Sequence, residues 1–329
     1  MDSSLFQKLH EEGLLADSSL NKIKALEKDR LFSLHWELKT VLYLGVTLLS
    51  GGLGVLVYKN IDRIGHLAVL LFIALVCAGC FFYCLRKKAP FSVERVTASD
   101  PFFDYILLLA CLTLLTFIGY LQFQYDVFGQ AYGLATAIPM LILFFCAYYF
   151  DHLGVLSLAI TNLAAWAGIS ITPASFLKEG IIDHARLIYT GLALGVLLVL
   201  AGLTSVRRNF KQHFAFTYTN FGIHILFVAG LSGLFSFDPV YILWFILLLG
   251  IAYYFYRYAV KQGSFYFLLV TMLYAYIALS YVICTLLAGM SFRDLTPIVL
   301  GLIYFIVSAI GVVRILIALN HKMKAHDSL

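Results

Sequence analysis

After residue 40 the chain alternates long apolar runs with short polar connections almost to its end. A helix rises about 1.5 Å per residue, so about 20 apolar residues cross a hydrocarbon core of about 30 Å. The pattern predicts ten such spans, near residues 40–58, 64–85, 102–122, 130–150, 152–172, 185–206, 214–235, 239–259, 264–288 and 297–319. Backbone N–H and C=O groups find no water in lipid, so each span must satisfy them within a helix. The expected fold is an all-α polytopic membrane bundle of about ten transmembrane helices. Spans four and five are parted only by Asp151, His152 and a neighbouring residue, and fusing them would invert everything downstream.

Charge gives the bundle a direction. With the N-terminus inside, 18 Lys and Arg fall on the inner side, and Lys59, Arg63, Lys178, Arg186 and Arg293 fall on the outer side, making the total of 23. Cytoplasmic connections carry such an excess, so both termini are expected in the cytoplasm and the chain in a bacterial inner membrane. Composition agrees: 62% hydrophobic and 12% charged stand against roughly 45–50% and 25% in soluble domains. The net charge of +5 follows from the threading. No basic stripe with interleaved aromatics suggests nucleic acid.

The residues before the first span predict a hairpin. Leu5, Phe6 and Leu9 form an apolar stripe, Gly13 can end that helix, and Asp17 can cap a second carrying Leu20, Ile23, Leu26 and Leu31. The expected domains are therefore a cytoplasmic amphipathic hairpin (1–37), the bundle (38–319) and a cytoplasmic tail (320–329). The hairpin is either a plug packed on the bundle or a docking module for a protein partner, while the other partner is the lipid bilayer. Because the first apolar run lies behind this charged segment, insertion is expected by span one, without a cleavable signal peptide.

Leu14-Leu15-Ala16-Asp17, a second helix, the run Leu44-Gly45-Val46-Thr47-Leu48-Leu49-Ser50-Gly51-Gly52-Leu53-Gly54-Val55-Leu56-Val57 and then Asn60-Ile61-Asp62 open the chain. This opening resembles an uncharacterised family of prokaryotic multi-pass membrane proteins. In that family a helical hairpin precedes a Gly-rich first span ending in an Asn-Trp-Asp-like turn, and Ile61 stands at the tryptophan position. The resemblance covers the first quarter to half of the chain and implies no catalytic residues.

Polar groups at depth are costly and mark candidate sites. His224 lies about ten residues into span seven, near the midplane, with Asn220 and Thr217 four and seven residues before it on one face. Asn162, beside Thr161, occupies a comparable depth in span five. These five residues suggest either a polar floor for a solute, with His224 as proton carrier, or interhelical hydrogen-bond glue. No Asp or Glu falls in the central third of a span: Asp104, Asp126, Asp151, Asp183 and Asp238 sit in connections or end turns. Strong cation coupling is therefore disfavoured. Asp100-Pro101, Asp238-Pro239 and Thr296-Pro297 read as capped helix starts. Cys77, Cys80, Cys84, Cys111, Cys146 and Cys284 all lie within spans. Cys77, Cys80 and Cys84 share one helical face and could be imagined in a metal or redox role, but with no second cluster or nearby histidines they read as small apolar packing groups, and neither metal nor cofactor is expected.

Asp-Pro opens spans three and eight, and Leu42-Tyr43-Leu44-Gly45 resembles Ile188-Tyr189-Thr190-Gly191 five spans later. Two inverted halves of five spans would account for this, an architecture of transporters, and the helix count resembles the drug/metabolite transporter superfamily. Gly51, Gly52 and Pro139 are candidate helix breaks, or, for the glycines, close-packing positions like Gly191 and Gly195. Soluble-enzyme motifs are absent. Three readings follow: a permease-like bundle for a small uncharged or amphipathic solute, a noncatalytic scaffold or sensor, and a lipid-modifying enzyme using His66, His184 and Arg186.

Overall fold

A computed structural model of the chain describes residues 35–96, 102–129, 131–171, 184–289 and 296–326. The predicted hairpin lies outside the described residues. Every regular element among those described is a helix. The chain divides into two units, Met1–Arg63 and Ile64–Leu329. The first supplies α1 (His35–Ile64), whose apolar stretch is Thr40–Val55. The second holds α2 (His66–Lys87), α3 (Phe103–Tyr125), α4 (Tyr132–Phe150), α5 (Leu153–Ile171), α6 (His184–Arg207), α7 (Phe214–Ser236), α8 (Tyr241–Lys261), α9 (Phe265–Ala288) and α10 (Thr296–His326). All nine are long and apolar enough to cross a membrane.

Spans four and five are separate helices. Asp151 ends α4 in the left-handed conformation at φ 58°, its N–H bonded to the Ala147 carbonyl. His152 Nδ1 then accepts the Val155 N–H at 3.0 Å and caps α5. Gly154 leaves room for that ring, since a Cβ there would stand 2.9 Å from His152 Cε1.

The candidate breaks do not interrupt their helices. Helix α1 runs through Gly51 and Gly52, and α4 runs through Pro139. Proline removes one N–H donor, and the turns on either side carry the helix past it. The Asp238 start also differs from expectation: Asp238–Val240 is a short 3-10 turn, the residue before it makes no side-chain cap bond, and α8 begins only at Tyr241.

Helix α7 is the centre of the second unit. Buried residues make up 67% of its membrane-spanning stretch, against 17–33% for α2 to α6, α8 and α9 and 0% for α10. One core cluster joins Cys84, Leu107, Cys111, Leu143, Cys146 and Leu156 to Phe214 and Tyr218 of α7. The other joins Ile223, Phe227 and Leu234 of α7 to Trp244, Leu248, Phe255 and Phe267 of α8 and α9. Helix α6 approaches α7 through glycine on both sides, and Gly195 is one of the two glycines expected to pack closely. A Cβ at Gly195 would lie 2.6 Å from Leu226 Cγ, and one at Gly222 would lie 2.7 Å from Val199 Cγ2 and 3.1 Å from the Gly195 carbonyl. In lipid, where apolar burial gives no driving force between helices, such backbone contact is what holds them.

Gly222→Ala is expected to force α6 and α7 apart and cost about 1–3 kcal/mol, the range for overpacking. Gly119→Ala, where a Cβ meets nothing within 4 Å, is expected to be neutral or stabilising. Thermal unfolding of the two variants in detergent checks this, and equal midpoints would remove the close-packing account.

Candidate functional site

His224 is half-buried on α7 and bonded through both ring nitrogens to α9. Nδ1 lies 2.9 Å from the Tyr274 hydroxyl and Nε2 lies 3.2 Å from the Tyr266 hydroxyl. Tyr266 in turn donates to Asn220 Oδ1 at 2.6 Å. A hydroxyl has one proton to give, so Tyr266 accepts from His224 Nε2–H, and in a neutral ring Nδ1 accepts from Tyr274. In a neutral ring this is the Nε2–H tautomer, with a single donor direction from Tyr274 through His224 and Tyr266 to Asn220.

On its other side His224 reaches a cavity of about 540 Å³ between α5, α6 and α7. The α7 wall is His224, Ile225, Val228, Ala229, Ser232, Phe235 and Ser236, a helical face running about 18 Å from mid-helix to the C-terminal end. The α6 wall includes Ile188, Thr190, Gly191 and Leu194, and the α5 wall is Ala164, Ala167 and Gly168. Small residues on α5 leave the space, and His224 with Thr190, Ser232 and Ser236 supplies the polar edge. No lining residue carries a full charge. An apolar pocket with few polar groups and a volume in this range is the usual form of a small-molecule site.

Of the five residues predicted for the site, Asn220 and His224 are joined through Tyr266. Thr217 is buried on the same helix. Asn162 and Thr161 do not line the cavity. Asn162 Nδ2 donates to the Leu158 carbonyl at 3.3 Å, and Thr161 Oγ1 donates to the Ser157 carbonyl at 2.9 Å, both within α5. Tyr266 and Tyr274 went unrecognised in the sequence. Their eight-residue spacing, two helical turns on one face of α9, was the available signal. His66 of the enzyme reading is engaged with the Tyr120 hydroxyl at 2.6 Å.

A second polar cluster lies where α4 ends and α7 begins. Lys211 Nζ and His213 Nε2 each stand 2.7 Å from Asp151 Oδ1, and the Val96 N–H donates to Oδ2 at 2.6 Å. Lys211 is 1% exposed and the Asp151 side chain 4%. The Lys211 N–H donates to the Val93 carbonyl at 3.0 Å, and its ammonium lies 5.0 Å from the centre of the Phe91 ring. Three connections, α2 to α3, α4 to α5 and α6 to α7, thus meet at one carboxylate. Burial by itself pushes the Asp151 carboxyl up, and the bonds from Lys211, Val96 and His213 outweigh it, holding the group below the ordinary carboxylate value. Lys211 adopts φ 49°, a left-handed conformation that costs roughly 1 kcal/mol for a residue of this type.

This arrangement of apolar helices about a buried central one defines a multi-pass helical membrane protein. Residues 7–156 match the family model described as "Predicted membrane protein (DUF2157)", and over that stretch the chain is similar to the family. The match includes Asp151 and ends four residues into α5, before α6, α7 and His224. No curated protein and no solved structure matches the chain.

The Asp151 cluster should make stability acid-sensitive with a definite sign. A carboxyl whose folded value is depressed contributes fully above its unfolded value of about 3.9, and that contribution is lost as pH falls through the lower folded value. The unfolding midpoint is therefore expected to be insensitive to this group between pH 7 and 5 and to drop below about pH 4. Asp151→Asn should lack that drop. Asp151→Ala, which strands a buried ammonium, should cost about 3–5 kcal/mol at pH 7. Parallel acid profiles for wild type and Asp151→Asn in detergent would refute the assignment.

Proposed function

We propose that this membrane protein is a permease-like carrier whose solute occupies the cavity between α5, α6 and α7. The observation that carries the reading is the 540 Å³ space that reaches His224 near mid-span. Its lining is apolar and uncharged, so the matching solute is small and uncharged, or amphipathic with its polar end toward Thr190, Ser232 or Ser236. The absence of any carboxylate from that lining argues against a cation-coupled cycle. The Asp151 end carries the lysine and arginine excess, which supports an orientation with both termini in the cytoplasm and the cavity in the outer half of an inner membrane. Among the described residues, ten α-helices also satisfy the count for two inverted halves of five.

One observation favours a second reading, a scaffold or sensor. Both His224 nitrogens are already bonded to tyrosines, as interhelical glue would be. The two readings differ in whether water reaches the cavity. In the permease, a cysteine at Ser232 is labelled by a membrane-impermeant maleimide well above the wild-type background; in the scaffold it is not.

The flux test follows from comparing metabolites in cells with and without the protein, which yields candidate solutes without presupposing one. His224→Ala, which removes a wall of the cavity and releases Tyr266 and Tyr274, is expected to reduce transport of the identified solute in proteoliposomes by about tenfold, the factor for about 1.4 kcal/mol. Asn162→Ala, outside the cavity lining, is expected to leave it near wild type. Unchanged flux in His224→Ala would sink the proposed site.

A further inference from the structure

A second hollow, of about 300 Å³, is lined by Phe91, Phe144, Phe145, Tyr148 and Tyr149. It shares no residue with the His224 cavity. It lies where α2 and α4 end, beside the Asp151 turn. Its floor is Tyr148, whose hydroxyl bonds that of Tyr218 at 2.8 Å and whose ring stacks on Phe210 at 5.9 Å. Its rim is open: Phe91 is 57% and Phe145 64% exposed. A contiguous exposed aromatic patch marks an interaction site, and at the end of a membrane span its surroundings are acyl chains and headgroups.

The charge beside this hollow is predominantly positive. Helix α2 finishes on Arg86 and Lys87, and Lys88 follows, all exposed. Lys88 Nζ donates to the Tyr149 hydroxyl and stands 4.1 Å from the centre of that ring. An ammonium has three N–H donors, and Tyr149 takes one of them. The ring therefore holds the charge at the rim with two donors left. The neighbouring acid cannot neutralise it, because Asp151 is committed to Lys211, His213 and the Val96 N–H. Across residues 86–96, Arg86, Lys87, Lys88 and Arg95 face one carboxylate, Glu94.

We propose that this is a binding site for one anionic phospholipid. An acyl chain lies across Phe91, Phe144 and Phe145, and the phosphate is held by the Lys88 ammonium, with Lys87 and Arg86 adding attraction. Basic side chains at the headgroup level select anionic lipids in this way. The site is independent of any solute carried by the central cavity.

The test uses the full chain in detergent, with equal amounts of dioleoyl phosphatidylglycerol and dioleoyl phosphatidylcholine, and counts retained lipid by native mass spectrometry. Wild type is expected to retain phosphatidylglycerol over phosphatidylcholine by about fivefold or more, the factor for one basic side chain near an anionic headgroup. Lys88→Gln should lower that ratio by about fivefold. Phe145→Ser should lower retention of both lipids, and Lys261→Gln, on α8, should keep the wild-type ratio. A wild-type ratio near one, an unchanged ratio in Lys88→Gln, or an equal loss in Lys261→Gln would overturn the proposal. So would displacement of the lipid by soluble glycerol phosphate at comparable concentration, since the site would then recognise phosphate without a chain.

Discussion

The bond between Lys211 and Asp151 takes two charges out of water, at a cost of several kcal/mol for each ion. That cost is met because both carboxylate oxygens are engaged: Lys211 and His213 on one, the Val96 N–H on the other. The same group of bonds fixes the two-residue turn after α4 and holds Lys211 in a left-handed conformation just before α7. It also draws the connection between α2 and α3 against both. Helix α7 begins three residues after Lys211 and belongs to both core clusters. Its start sets its depth, its depth aligns Gly222 with Gly195 of α6, and that contact fixes the face on which His224 meets the cavity.

Hydropathy made the helices legible because lipid imposes a length and forbids unpaired backbone. Nine of the ten expected spans recur as helices long and apolar enough to cross, and α1 holds the remaining stretch. The turn at Asp151 and His152 was legible from two polar residues between apolar runs. Gly191 and Gly195 pointed to close packing on α6 for a sound reason, since only a missing side chain allows such an approach, and the partner that fills it is α7. Asp238-Pro239 did not give the expected cap because three residues there close a 3-10 turn first.

The polar sites were less legible, and the reason is rotational. A run of leucine, phenylalanine and alanine fixes how deep a residue lies but not which neighbour it faces. Asn162 shares the depth of His224, yet its amide bonds within its own helix. Tyr266 and Tyr274 contact α7 from more than forty residues away in sequence, a relation that no local period contains. Lys211 read as one more cytoplasmic charge, and only the meeting of three connections gives it a carboxylate partner. The cysteines of the core fit their reading as small apolar groups: Cys84, Cys111 and Cys146 pack into one cluster with leucine and phenylalanine.

At the opposite extreme from α7 stands α10, with none of its spanning stretch buried. Among the described residues it is joined to α9 by two hydroxyl pairs, Tyr276 with Ser308 at 3.1 Å and Ser280 with Tyr304 at 2.9 Å. A helix packed on several sides has its tilt dictated by protein, whereas one held along a single seam takes its tilt from the match between its apolar length and the bilayer. Membrane thickness therefore acts on α10 before it acts on the core. The helix that receives that adjustment is α9, which also carries the two tyrosines bonded to His224.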